Sequence, residues 1–114
     1  MREGRKNMNY IDVWRITKME IWSGDYFNMD VQAYIKVEEN RLGFFQFGLV
    51  SGQIDGEVFK YGRKERFEFT WDGNDECDPA QRSDWFEVED ENRISGRIKT
   101  HLGNSSTFSA IRAE

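Results

Sequence analysis

Two sets of residues have types and spacing suited to chemistry. The first is acidic: Asp72, Asn74, Glu76 and Asp78 stand at alternate positions, as the oxygen ligands of a calcium loop do. The match fails where such a loop is most demanding. Its sixth position is Cys77, where a glycine makes the turn, and its twelfth is Ser83, where a bidentate glutamate closes the site. Asp, Asn and Gly also form turns by bonding their own backbone, and Pro79 stiffens the exit. The expectation is therefore a turn-rich acidic loop over Asp72–Ser83, with no metal and no cofactor. The second set is Cys77 and His101, the sole residues of their types. A thiolate nucleophile needs an imidazole within hydrogen-bond reach and a depressed thiol pKa. Nearby carboxylates push the thiol the other way, and His101 has the outward parity of its segment. One Cys and one His are also too few for zinc. A Cys/His enzyme is the weakest reading, and a non-enzymatic protein is expected.

Aromatic residues next to acid make a better case. Trp22 and Trp71 end strand-like runs, Tyr26 lies in a long connection, and Asp72, Asp75 and Glu76 follow Trp71 closely. Aromatic faces attract cations, and carboxylates add a negative field. These six residues are the expected ligand-binding set, for a small cationic or aromatic molecule. The run Arg41-Leu42-Gly43-Phe44-Phe45-Gln46-Phe47 loosely resembles the aromatic strand of RNA-binding domains. Its Phe45 and Phe47 have inward parity and the chain is acidic, so single-stranded nucleic acid is a weak alternative. No phosphate-binding loop and no G-x-S-x-G elbow occurs.

The elements that must carry these residues are strands. Val31, Ala33, Ile35 and Val37 alternate with polar residues, as do Phe67, Phe69 and Trp71, and Ile94, Ile98 and Leu102. Such alternation marks half-buried strands. About eight emerge: Tyr10–Trp22, Val31–Glu38, Gly43–Val50, Gln53–Tyr61, Glu65–Trp71, Asp84–Glu89, Arg93–Leu102 and Ser106–Arg112. The first changes parity along its length, which implies a bulge or bend near Trp14. Short connections at Glu39–Leu42, Gly62–Lys64 and Asp90–Asn92 favour antiparallel neighbours. The fold class expected is all-β: a single-domain antiparallel up-and-down barrel of lipocalin or avidin kind, with little or no helix. It would span residues 10–114, behind a flexible N-terminal segment of residues 1–9. The long connections, Ser23–Asp30 and Asp72–Ser83, would share one rim with Ser51–Gly52 and Gly103–Ser105. That rim is where the pocket is expected.

Composition narrows the classes. The chain has 114 residues and a net charge of −5, with 38% hydrophobic and 32% charged positions. That suits one domain. Nine Phe, four Trp and four Tyr are the opposite of a disordered composition. No run of apolar residues is long enough for a membrane helix, and no secretory h-region follows the charged N-terminus. A single cysteine fits a reducing, cytoplasmic setting. Residues 72–91 hold nine acids and one base, and a net negative chain argues against duplex nucleic acid.

Trp14-Arg15-Ile16-Thr17-Lys18-Met19-Glu20-Ile21-Trp22, Glu65 to Pro79 (ERFEFTWDGNDECDP) and His101-Leu102-Gly103-Asn104-Ser105-Ser106-Thr107-Phe108 together resemble a family of small uncharacterised bacterial proteins. The resemblance runs over most of the chain and implies a compact fold, without an activity to transfer.

A second surface competes with the pocket. Tyr10, Trp14, Tyr34, Phe44, Phe59, Tyr61 and Trp85 take the outward parity. Tyr34, Phe44, Phe59 and Tyr61 fall on three successive strands and could form one external patch. Exposed aromatic patches mark interfaces, and pairing about a two-fold is the commonest way to cover one. The alternative function is thus an interaction module, a homodimer through this patch or a partner for the acidic segment.

Overall fold

A computed structural model of the chain describes residues 10–62, 64–75, 78–99 and 105–113, the side chains of 75 and 78–81 excepted. Eight antiparallel strands follow one another: β1 (Asp12–Met19), β2 (Tyr34–Val37), β3 (Leu42–Phe47), β4 (Val50–Tyr61), β5 (Lys64–Asp75), β6 (Asp78–Asp90), β7 (Arg93–Lys99) and β8 (Ser105–Arg112). Each pairs with the next and β8 returns to β1, so the sheet is a closed up-and-down barrel. One helical turn, α1 (Gly24–Phe27), lies between β1 and β2. Among the described residues no helix is long and apolar enough to cross a membrane.

Period-two alternation sends one set of side chains inward. Phe45, Phe47, Phe67, Phe69, Trp71, Phe86 and Phe108 are all buried, as their parity predicts. Their rings fill the lumen: Phe67 lies 5.2 Å from Phe86 and 5.8 Å from Phe69, and Phe45 meets the edge of Trp71 at 4.9 Å. The ends are closed by aromatics as well. Tyr10 stacks on Phe67 at 5.4 Å, and at the far end Phe27 of α1 is buried while its carbonyl accepts from Gly48 N–H at 2.9 Å.

Several expectations are corrected. Trp14 and Tyr10 are inside, not outside, and Trp14 is fully buried with its Nε1–H donating to the Tyr10 carbonyl at 3.0 Å. The reason is the position of the parity change. The register of β1 against β8 shifts between Ile16 and Lys18, after Trp14 rather than at it, so Trp14 and Ile16 face in before the bulge and Met19 faces in after it. The β3–β4 turn is Gly48–Leu49, not Ser51–Gly52. Gly48 takes a φ of 56°, which glycine adopts without a Cβ penalty, and the ring of Tyr26 packs where its Cβ would be.

The segment expected as an acidic loop is strand as far as Asp75 and again from Asp78. β5 and β6 stay paired out to Asp75 opposite Asp78, with Asn74 opposite Pro79. The alternation of Asp72 and Asn74 is thus the two-residue repeat of a strand, and both side chains are exposed. Pro79 is tolerated for a geometric reason. Successive residues of a strand aim their backbone groups at opposite neighbours, and by the register Pro79 aims toward β7, whose pairing with β6 only begins at Trp85.

Lumen packing sets a testable limit on β4. A Cβ at Gly52 would sit 2.6 Å from Cε3 of Trp71 and 3.1 Å from Cε2 of Phe45. Gly52→Ala should therefore cost about 1–3 kcal/mol in urea unfolding by overpacking. Gly24→Ala, where the new Cβ would meet Phe27 at an ordinary 3.8 Å, should change stability by less than about 1 kcal/mol.

Candidate binding site

The barrel wall divides the residues expected to form one pocket. Trp22 stacks on Tyr26 at 5.9 Å and lies against Phe47 at 5.2 Å, so those two share the α1 end as the sequence suggested. Trp71 is buried in mid-strand instead of standing at the rim, because β4 and β5 continue pairing beyond it to Val50 and Asp75. It reaches Phe47 only through Phe45. Asp72 is next to Trp71 in sequence and so points to the opposite face of the sheet, into solvent. Asp75 lies opposite Val50 and Asp78. Glu76, Cys77, His101 and residues 1–9 lie outside the described residues.

Asp72 instead joins a groove of about 670 Å³ on the outer wall across β2–β5. Phe44 of β3 stands opposite Gln53 of β4, and Gln53 stands opposite Asp72 of β5. Asp55 lies one outward step along β4, opposite Thr70, which makes Asp55 and Asp72 diagonal neighbours about 7–8 Å apart, their Cβ atoms somewhat closer. Phe44 keeps 36% of its surface exposed and stacks on Tyr34 at 6.4 Å. At the groove's other side Lys36 and Glu38 pair with each other at 3.4 Å. Asp55 and Asp72 have no salt-bridge partner among the described residues. An exposed aromatic face thus lies beside two unneutralised carboxylates.

The interface candidates form two groups, not one patch. Phe44 lines the groove and Tyr34 stacks on it. Phe59 is six positions along β4 from Gln53, roughly 20 Å at the rise of a strand, and Tyr61 is farther still. Both are exposed, at 42% and 50%.

The acidic segment is less free than its composition implied. Glu87 accepts from Arg66 at 2.8 and 3.1 Å and pairs with Lys64 at 3.4 Å, and the Arg66 bonds hold its carboxyl below the usual range. Arg66 itself lies between the rings of Trp85 (4.1 Å) and Tyr61 (5.0 Å). Glu89 accepts from Ser95 Oγ. Asp84 is buried with inward parity. Its Oδ2 accepts from Trp71 Nε1 at 2.9 Å, and its Oδ1 accepts from the Lys99 N–H at 3.1 Å. Arg97 Nε is 3.8 Å from that oxygen, too long for a hydrogen bond. Asp84, Trp85, Arg97, Phe59 and Glu68 line a second outer groove of about 490 Å³. The sequence signal for Asp84 is that it shares the parity of Phe86 and Val88, since a charge in an apolar row needs partners.

Comparison with protein-family models, curated proteins and solved structures finds no match. The fold and site define a small closed barrel with a filled lumen and an acidic, aromatic groove outside.

Burial raises the Asp84 carboxyl to about 6 from its ordinary 3.8, against the opposing effects of the Trp71 and Lys99 N–H groups and the Arg97 charge. A carboxyl whose pKa is higher folded than unfolded binds protons more tightly in the folded state. Stability from this group is therefore greatest below 3.8 and falls as pH rises to about 6. Asp84→Asn should remove that slope. Relative to the parent, its unfolding free energy should gain on the order of 1–3 kcal/mol between about pH 4 and pH 7, read from urea titrations. A constant offset across that range would show that Asp84 does not titrate there.

Proposed function

We propose that this protein is a non-enzymatic binding module that takes a small cationic, aromatic-compatible ligand in the groove across β2–β5. The observation that carries this reading is the exposed Phe44 face beside the unneutralised Asp55–Asp72 diagonal. A ring face attracts a cation by roughly 0.5–2 kcal/mol, and the carboxylates reinforce that preference while repelling anions. Two carboxylates fall short of the 6–8 oxygens that calcium takes, so an organic ammonium or guanidinium group suits the geometry better than a bare divalent ion. The rim pocket expected from Trp22, Tyr26 and Trp71 is less favoured, because Trp71 packs on Phe45 inside the barrel while Trp22 packs on Phe47 and Tyr26. The cationic preference is kept in this proposal, with its place moved from the mouth to the wall.

The test is a thermal-shift and calorimetry panel of aromatic amines matched with aromatic carboxylates. Amines should stabilise the parent and carboxylates should not. Asp55→Asn and Asp72→Asn should each weaken amine binding about two- to five-fold, the range of an exposed charge contact, and added salt should weaken it further. Equal responses to both ligand charges would overturn the proposal.

A further inference from the structure

β4 is longer than its neighbour on one side. β3 accompanies it only from Val50 to Asp55, and the last bond across that seam is Gly56 N–H to the Arg41 carbonyl at 3.1 Å. Beyond it, Glu57–Tyr61 pair with β5 alone. The Gly56 bond fixes which residues face the open side. Even-numbered residues of β4 aim their N–H and C=O toward β3 and odd-numbered ones toward β5. Val58 and Lys60 therefore present backbone donors and acceptors that meet no partner among the described residues. Phe59 and Tyr61, on the same stretch, are exposed at 42% and 50%. A barrel ordinarily removes such an edge by closure; here an overhanging hairpin restores one.

We infer that this edge is the surface through which two copies of the chain associate, β4 against β4, antiparallel about a two-fold axis through Phe59. The register follows from elimination. Setting Lys60 opposite Lys60 of the second copy places like charges face to face, which destabilises a sheet pair. Setting Val58 opposite Val58 requires the Gly56 N–H to bond Lys60 of the second copy, and that N–H already serves Arg41. With Val58 opposite Lys60, each exchanges N–H and C=O with the other, twice over by symmetry. On the outer face Phe59 then meets Phe59 in a close, non-hydrogen-bonded pair, and Glu57 meets Tyr61. Aromatic cross-strand pairs stabilise, and no like charges are opposed. The occupant that satisfies the edge is thus a second copy rather than an unrelated strand. This surface is separate from the groove at Phe44, Asp55 and Asp72, and either can hold without the other.

Light scattering coupled to gel filtration, across micromolar concentrations of the full chain, should give twice the 13.5 kDa chain mass. Phe59→Glu sets two carboxylates against each other on the axis and should return the mass to 13.5 kDa with an unchanged far-ultraviolet spectrum. A positive test needs no loss of association. The Cα separation of a non-hydrogen-bonded pair suits a disulfide, so Phe59→Cys in a Cys77→Ser background should cross-link under mild oxidation. Phe44→Cys in that background, an exposed ring elsewhere on the wall, should not. A monomer at all concentrations, a dimer indifferent to Phe59→Glu, or equal cross-linking at both positions would each overturn the inference.

Discussion

Closing a sheet of eight strands leaves a lumen that inward side chains must fill, and this one fills it with rings. The constraint reaches far. It demands small residues where rings need space, as Gly52 does beneath Trp71. It forces a hydrogen-bond acceptor into the core, since a buried indole N–H without a partner is costly. Asp84 supplies that acceptor and also binds the Lys99 N–H, so one carboxylate satisfies an aromatic in the lumen and the backbone of β7. Its elevated pKa follows from that placement.

Rings also take most inward positions of β3 and β5. Barrels that hold ligands inside need inward residues small enough to leave room. The outward positions of β3, β4 and β5 carry a different set, with Phe44 stacked on Tyr34 and Gln53, Asp55 and Asp72 exposed. Phe44, Asp55 and Asp72 meet there by register.

Much of this was legible in the chain. The rows Phe67-Phe69-Trp71 and Phe45-Phe47 declared their strands and inward face, and the three tight turns declared the meander. Trp14 was misassigned because a bulge moves parity by one residue, and its position depends on pairing with β8, some ninety residues away. The segment 72–83 read as a loop because Asp, Asn, Gly and Pro are turn formers; pairing overrode local preference. The groove could not be read at all. Its residues come from separate strands, and only the register brings them together.

The seam between β1 and β8 has a consequence for how the chain reaches this structure. Arg112 pairs with Asp12 and lies 4.5 Å over the Trp14 ring, so contacts that close the barrel join residues about a hundred apart. Hairpins β4–β5 and β5–β6 close short loops, while the seam must first overcome the entropy of a loop nearly as long as the chain. The order of assembly expected from that entropy is the central meander first and the seam last. In kinetic terms, changes at Trp14 or Arg112 should speed unfolding and leave the folding limb of a chevron nearly unmoved, whereas changes in the β4–β5 turn should slow folding.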